Sequence, residues 1–286
     1  MAGFYKHRFL RILPPFVFFA VLYCLLPLAW GGMTWEQSVA DLKNLPLNFP
    51  SMAGHLWFMY PLISLYLIMP VISPWLEKAS AKDELIFLGI FAFSTFMPWL
   101  HKFVAPELWG ECFWNCYHML WYCSGFIGFL VMAHFVRFHI RWTVKKRLTV
   151  GTVCFLAGAG FTAWSFWWKG VPGVLIDTPI LEWAWEFCTP NVLCATFGLF
   201  LIFTCIGANK SCKLITGISK LSFGIYLMHM FFLAPIAVFF VNGNQANPIV
   251  PVYLAIPCIA LLTFVCCTIT AKLLSYVPGS RWFLGA

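Results

Sequence analysis

Arg8 and Arg11 stand three residues apart in the stretch FYKHRFLRILPPFVFF, with Lys6 just ahead of them. On a helix that spacing puts both guanidinium groups on one face. Positive charge at a helix N-terminus opposes the macrodipole, a small cost that asks for a reason. Two partners fit. One is anionic lipid at a membrane surface; the other is a phosphate-rich ligand, because guanidinium groups grip phosphate oxygens bidentately. His229, in LSFGIYLMH, follows Leu221 by eight residues, a rise of about 12 Å along a helix. An ionisable side chain that deep in an apolar run is a functional-site candidate by default. A neutral imidazole there could accept a hydroxyl proton or orient a second group. The plainer reading is a packed histidine donating to a carbonyl of a neighbouring helix. His55 opens the run GHLWFMYPLISLYLIMP beside Trp57 and Tyr60, where it could meet a polar substrate or anchor a helix end at an interface.

These residues need elements to hold them, and composition says which kind. The chain is 62% hydrophobic and 10% charged, whereas a soluble domain is about half apolar and about a quarter charged. A bilayer crossing takes roughly 20 apolar residues in a helix, because backbone amides find no water there. The sequence therefore predicts an all-α, polytopic membrane bundle of eight spans. They lie near 14–30, 56–75, 85–101, 119–136, 149–168, 192–208, 221–241 and 250–271. No internal repeat interrupts them, so residues 1–286 read as a single membrane domain. No small-x-small cleavage site follows the first run, which is expected to stay as a helix rather than be removed as a signal peptide.

The net charge of +8 does not point to nucleic acid, because the basic residues are scattered through short connectors. Sorting Lys and Arg by alternate connectors leaves Lys43, Lys102 and Lys169 on one side and the other fifteen, Lys210 among them, opposite. That asymmetry predicts both termini in the cytoplasm. The connectors 31–55, 102–118 and 169–191 carry acidic residues interleaved with tryptophans. An interfacial aromatic belt explains this, and so would a site that stacks and hydrogen-bonds a carbohydrate. Most of the 12 cysteines sit within apolar runs and there act as small hydrophobes. Cys112, Cys116 and Cys188 lie in connectors, where a disulfide could form in an oxidising compartment. No CxxC, HExxH, Walker, GxGxxG or GxSxG pattern occurs, so no metal site, redox centre, nucleotide hydrolysis or serine-hydrolase chemistry is legible.

FYKHRFLRILPPF, GHLWFMYPLISLYLIMPVISPWL and ISKLSFGIYLMH occur in that order on membrane spans. In this the chain resembles the acyltransferase-3 family of integral-membrane O-acyltransferases along essentially its whole length. The resemblance implies transfer of an acyl group, commonly acetyl, from cytoplasmic acyl-CoA to a hydroxyl of a cell-envelope carbohydrate at a bacterial inner membrane. Acyl-CoA would be a co-substrate, with no bound cofactor. The family's Arg-x-x-Arg pair is implicated in donor binding, and here it is Arg8 and Arg11, with Lys6 nearby. The reacting centre would lie near His229, Tyr226 and Ser222, with His229 in a supporting role, or as the base only in place of the family's own catalytic histidine. The acceptor, an envelope glycan or lipid-linked sugar, would approach past His55, Trp57 and Tyr60. The family core usually has ten helices, with an Arg-x10-His motif on the first. No arginine of this sequence has a histidine eleven positions on, so the chain is expected to correspond to the family without its first two helices. Two other functions compete with the enzyme: a carrier or flippase for lipid-linked sugars, and an inactive homologue that only binds.

Overall fold

The computed structural model describes residues 1–171, 174, 176–206, 212–241 and 250–285, and among them every regular element is a helix. Among the described residues six helical stretches are long and apolar enough to cross a membrane: Ala2–Ala29, Gly54–Lys78, Ala81–Phe103, Val144–Lys169, Lys213–Phe240 and Val252–Leu274. Shorter apolar helices, Phe126–Phe138 and Pro190–Phe203, stand where the sequence predicts the fourth and sixth spans. At 13 and 14 residues they rise only about 20 Å, short of a hydrocarbon core of about 30 Å. The fourth starts late because His118–Cys123 is a 3-10 turn and Gly125, at φ 78°, breaks into the helix that follows. Lys210 and the last residues of the sixth predicted span lie outside the described residues.

The first span differs in the other direction. Helix α1 runs Ala2–Leu25 and takes Pro14 and Pro15 into its interior. Each proline lacks an N–H, so the carbonyls of Leu10 and Arg11 lose their helical donors, which membrane bundles tolerate when neighbours supply polar contacts. Lys6, Arg8 and Arg11 therefore lie on the helix itself.

The chain packs as two compact units, Met1–Pro70 with Ser211–Ala286, and Val71–Lys210. In the first, α1 packs with α2 (Trp35–Asn44), the start of α3 (Met59–Lys78), α10 (Lys213–Val241), α11 (Val252–Leu274) and α12 (Arg281–Leu284). Thr34 and Gln37 form a capping box at the start of α2, and Ser38 Oγ donates to the Cys24 carbonyl at 2.6 Å. That bond satisfies a carbonyl that the end of α1 would otherwise leave open. Phe16, Phe19, Leu56, Met59, Leu227 and Leu284 fill the core. Leu284 closes one end, packed so tightly on Gly224 that a Cβ there would come within 2.7 Å of it.

The second unit holds α4 (Ala81–Ser94), α5 (Met97–Phe103), α6 (Phe126–Phe138), α7 (Val144–Lys169), the short α8 (Thr178–Leu181) and α9 (Pro190–Phe203). A Ser80–Asp83 capping box starts α4. Helices α7 and α9 approach through small residues, the usual means of close contact between membrane helices. A Cβ on Gly158 would fall 2.7 Å from the Ala195 nitrogen, and one on Gly198 would fall 2.6 Å from that of Phe155. Asn191 Nδ2 bridges the pair by donating to Thr162 Oγ1 at 2.7 Å. Gly158→Ala should thus lower stability by about 1–3 kcal/mol through overpacking, read as a fall in Tm of the detergent-solubilised protein. Gly160→Ala on the same helix, whose Cβ would meet nothing within 4 Å, should leave Tm in place.

The tryptophans of the second unit divide by burial. Trp183 is buried and packs on Trp99 and Phe161 at centroid distances of 5.3 and 5.9 Å, while Lys102 pairs with Glu186 beside them. Trp167, Trp168 and Trp185 are exposed, as residues of an interfacial belt are.

Candidate active site

His55 and His229 meet inside the first unit. Their rings lie 4.6 Å apart, edge to face, with Tyr23 and Tyr226 at 5.2 and 5.8 Å from His55. His55 arrives there because the 3-10 turn Gly54–Phe58 precedes α3 and folds its first residues inward, Leu56 and Met59 being fully buried. His229 arrives because α10 buries the face that carries Leu221, Ile225 and Met228.

The hydrogen bonds around the pair are asymmetric. His229 Nδ1 lies 2.6 Å from the Tyr226 carbonyl. A carbonyl only accepts, so Nδ1 donates, and in the neutral ring it is Nε2 that keeps the lone pair. The Tyr226 hydroxyl in turn donates to the His55 carbonyl at 2.5 Å, tying the turn to α10. Both ring nitrogens of His55 are buried without a hydrogen-bond partner. The Leu227 carbonyl is close by but takes the Tyr23 hydroxyl at 3.0 Å. Leaving such a group unsatisfied costs about 1–3 kcal/mol. Tyr60, packed between Phe16 and Phe49, also has a buried hydroxyl with no partner. An apolar cavity of about 490 Å³, lined by Tyr23, Met230, Phe231 and Pro235 among others, adjoins the pair through Tyr23.

A second feature lies toward the N-terminal end of α10. A cavity of about 610 Å³ is lined by His7, Arg11, Lys220, Arg281 and the Gly285 backbone, among others. Arg11 Nε donates to the Gly285 carbonyl at 2.9 Å. Gly285 sits at φ 70°, where a Cβ would come 2.9 Å from the Arg11 carbonyl, so a glycine is what lets α12 bring Arg281 beside α1.

The other sequence candidates have neighbours of their own. The Arg8 guanidinium lies over the Phe4 and Tyr66 rings at 5.7 and 5.8 Å, so Arg8 and Arg11 have different neighbours, and Lys6 is exposed. Trp57 packs near Phe58 at 5.8 Å. Ser222 is exposed and donates to the Ser219 carbonyl at 2.8 Å, one turn of α10 from Tyr226. Cys112, Cys116 and Cys188 are free thiols. Burial pushes the Cys188 thiol up to about 11, a hydrogen bond with Tyr117 opposing the rise.

A family model described as an acyltransferase domain matches residues 1–272. The chain belongs to the acyltransferase-3 family. No curated protein and no solved structure matches it. As an acyltransferase-3 protein with several membrane-crossing helices, it is a multi-pass membrane protein carrying an acyltransferase domain. Sequence reasoning missed two sets of residues in this acyltransferase. Arg281 joins Arg11 only because α12 folds back, and Lys220 because α10 packs against α1. Glu84, His134 and His139 converge in the second unit, with Glu84 Oε1 at 2.9 Å from a nitrogen of each histidine. Their signal was a carboxylate and an imidazole within four residues of predicted span ends, flanked by enough Lys and Arg to look like ordinary connector.

Proposed function

We propose that this protein transfers an acyl group, acetyl being expected, from acyl-CoA to a hydroxyl of a cell-envelope carbohydrate in a bacterial inner membrane, with both termini cytoplasmic. The observation that supports this reading most is the pairing, within one compact unit of an acyltransferase-3 protein, of a cation-lined cavity with a buried pair of histidines. Three cations lining one cavity, Arg11, Lys220 and Arg281, suit the phosphates of coenzyme A. Lys6 and Arg8, neighbours of His7 on α1, add to the attracting field. From Lys220 to His229 is nine residues of α10, a rise of about 14 Å, and the flexible arm of coenzyme A leads in that direction past Ser222.

In this reading His229 Nε2 is the base. Its tautomer is fixed by the Tyr226 carbonyl, so its lone pair is available to a hydroxyl. The acceptor enters past Trp57 and Tyr60, and the lipid part of a lipid-linked sugar fits the apolar cavity beside Tyr23. As the acceptor oxygen attacks the thioester carbonyl, its proton passes to His229. A C–O bond forms, the C–S bond breaks, and the imidazolium returns the proton to the departing thiolate of coenzyme A. His55, whose two nitrogens have no protein partner, hydrogen-bonds the acceptor or the oxyanion, and Tyr226 is a positioning residue.

The test is the full chain in proteoliposomes with labelled acetyl-CoA and lipid-linked glycan. Label recovered on the glycan as an alkali-labile ester supports the enzyme. Glycan translocated but unmodified supports the carrier and overturns this reading.

A further inference from the structure

Glu84 is fully buried, although it lies only four residues into α4. Its Oε1 sits 2.9 Å from His134 Nδ1 and 2.9 Å from His139 Nε2. Oε2 is also buried and has no hydrogen-bond partner. A buried carboxylate carries a desolvation cost of several kcal/mol unless charge compensates it. Both imidazoles meet Oε1 alone, and the N-terminal dipole of α4 supplies only a fraction of a positive charge. The neighbouring Arg137 places its guanidinium over the Phe138 ring at 5.5 Å. The set thus crowds two imidazole nitrogens onto one buried carboxylate oxygen and leaves the other unused.

We infer that Glu84, His134 and His139 form a binding site for a divalent transition-metal ion of the zinc class. The donor atoms lie within 4.8 Å of one another. Bonds of about 2.0–2.2 Å to a tetrahedral ion put donors roughly 3.4 Å apart, so side-chain adjustments of about an ångström complete the geometry. Two imidazoles and a carboxylate select zinc-like ions over magnesium or calcium, which prefer all-oxygen sites. Three protein donors leave a fourth position for water. Coordination needs the lone pairs of His134 Nδ1 and His139 Nε2, which moves each ring proton to the opposite nitrogen. Both side chains keep 23% of their surface exposed, so those opposite nitrogens can bond water, and the same openings admit the ion. Bound there, the ion ties the first turn of α4 to the last turn and C-cap of α6. In sequence Lys78 and Lys82 precede Glu84, and Arg137 and Arg141 flank His139, which puts the site at the face expected to be cytoplasmic, so the metal would come from the cytosol.

The full chain, purified in detergent and stripped with chelator, is titrated with Co²⁺ and then with Zn²⁺. The expected result is one equivalent of cobalt with the visible absorption of a four-coordinate centre, displaced by zinc, and a rise in Tm on zinc addition. Glu84→Gln, His134→Asn and His139→Asn should each weaken zinc binding at least about tenfold, whereas His101→Asn, outside the cluster, should not. Absence of stoichiometric binding by the stripped wild-type protein overturns the inference without reference to any variant. So does binding retained in the Glu84→Gln/His134→Asn double variant. Neither readout depends on acyl transfer.

Discussion

Replacing His229 with alanine is expected to lower kcat for acyl transfer by about two to four orders of magnitude, the usual contribution of a general base. Because the imidazole acts on the hydroxyl and not on the donor's phosphates, the acyl-CoA KM should move by less than about threefold. His229→Gln sharpens the comparison. An amide can still donate to the Tyr226 carbonyl, so the local packing on α10 survives, yet it cannot take a proton from a sugar hydroxyl at neutral pH. Its kcat should fall as far as that of the alanine variant. Tyr226→Phe removes the hydroxyl that donates to the His55 carbonyl but leaves its own carbonyl on His229 Nδ1. A smaller loss, about tenfold or less, is expected there, since a positioning hydrogen bond is worth about 0.5–1.5 kcal/mol. Steady-state kinetics with varied acyl-CoA and fixed acceptor separates these outcomes. A glutamine variant with near wild-type kcat would show that His229 is only a packed histidine.

The second large effect is on the donor. Arg11, Lys220 and Arg281 line one cavity, and a charge-assisted hydrogen bond is worth about 1.5–3 kcal/mol when well formed. Arg11 and its partners reach solvent, so screening reduces this, and each substitution by alanine should raise the acyl-CoA KM by about 3- to 30-fold with kcat little changed. Because the three act on one polyanion their effects couple, so the double variant Lys220→Ala/Arg281→Ala should exceed either single variant without having to match the product of the two. Raising ionic strength should weaken the wild-type protein toward the variants, since exposed charges are screened over about 8 Å at physiological salt. Arg8→Ala should do less than Arg11→Ala, because the Arg8 guanidinium lies over the Phe4 and Tyr66 rings. Equal KM values for wild type and the double variant would remove the donor from this cavity.

What the sequence made legible followed from local physics. Apolar length and the three quoted phrases were enough for a polytopic helical protein of the acyltransferase-3 family, because spanning requires runs of a fixed length and the phrases lie on them. Helix ends were less legible. Pro14 and Pro15 look like a helix start, yet α1 carries them inside, since a membrane bundle can satisfy what prolines leave open. The short fourth and sixth helices were hidden for a related reason. Hydropathy counts apolar residues whether they are helical or, like His118–Cys123, wound into a 3-10 turn.

The candidate site was legible in its parts and not in its assembly. His229 stood out as an ionisable group in an apolar run, and His55 as a polar residue at a helix mouth, but one was read at the reacting centre and the other on the acceptor's approach to it. Only the inward fold of Gly54–Phe58 sets their rings 4.6 Å apart. Arg11 was visible from its spacing, whereas Arg281 lies 270 residues away and joins it through the Gly285 turn, a contact no local pattern encodes. Glu84, His134 and His139 carried no signal that stood out, because the lysines and arginines around them dominate the sequence there.

The most direct test of the central claim is acceptor-dependent release of coenzyme A by the full chain in proteoliposomes, measured for wild type and His229→Gln at saturating acetyl-CoA. The predicted result is release that requires the glycan, matches ester formed on it mole for mole, and falls by about two orders of magnitude or more in the variant. Release that ignores the glycan, or that persists undiminished in His229→Gln, would contradict the account.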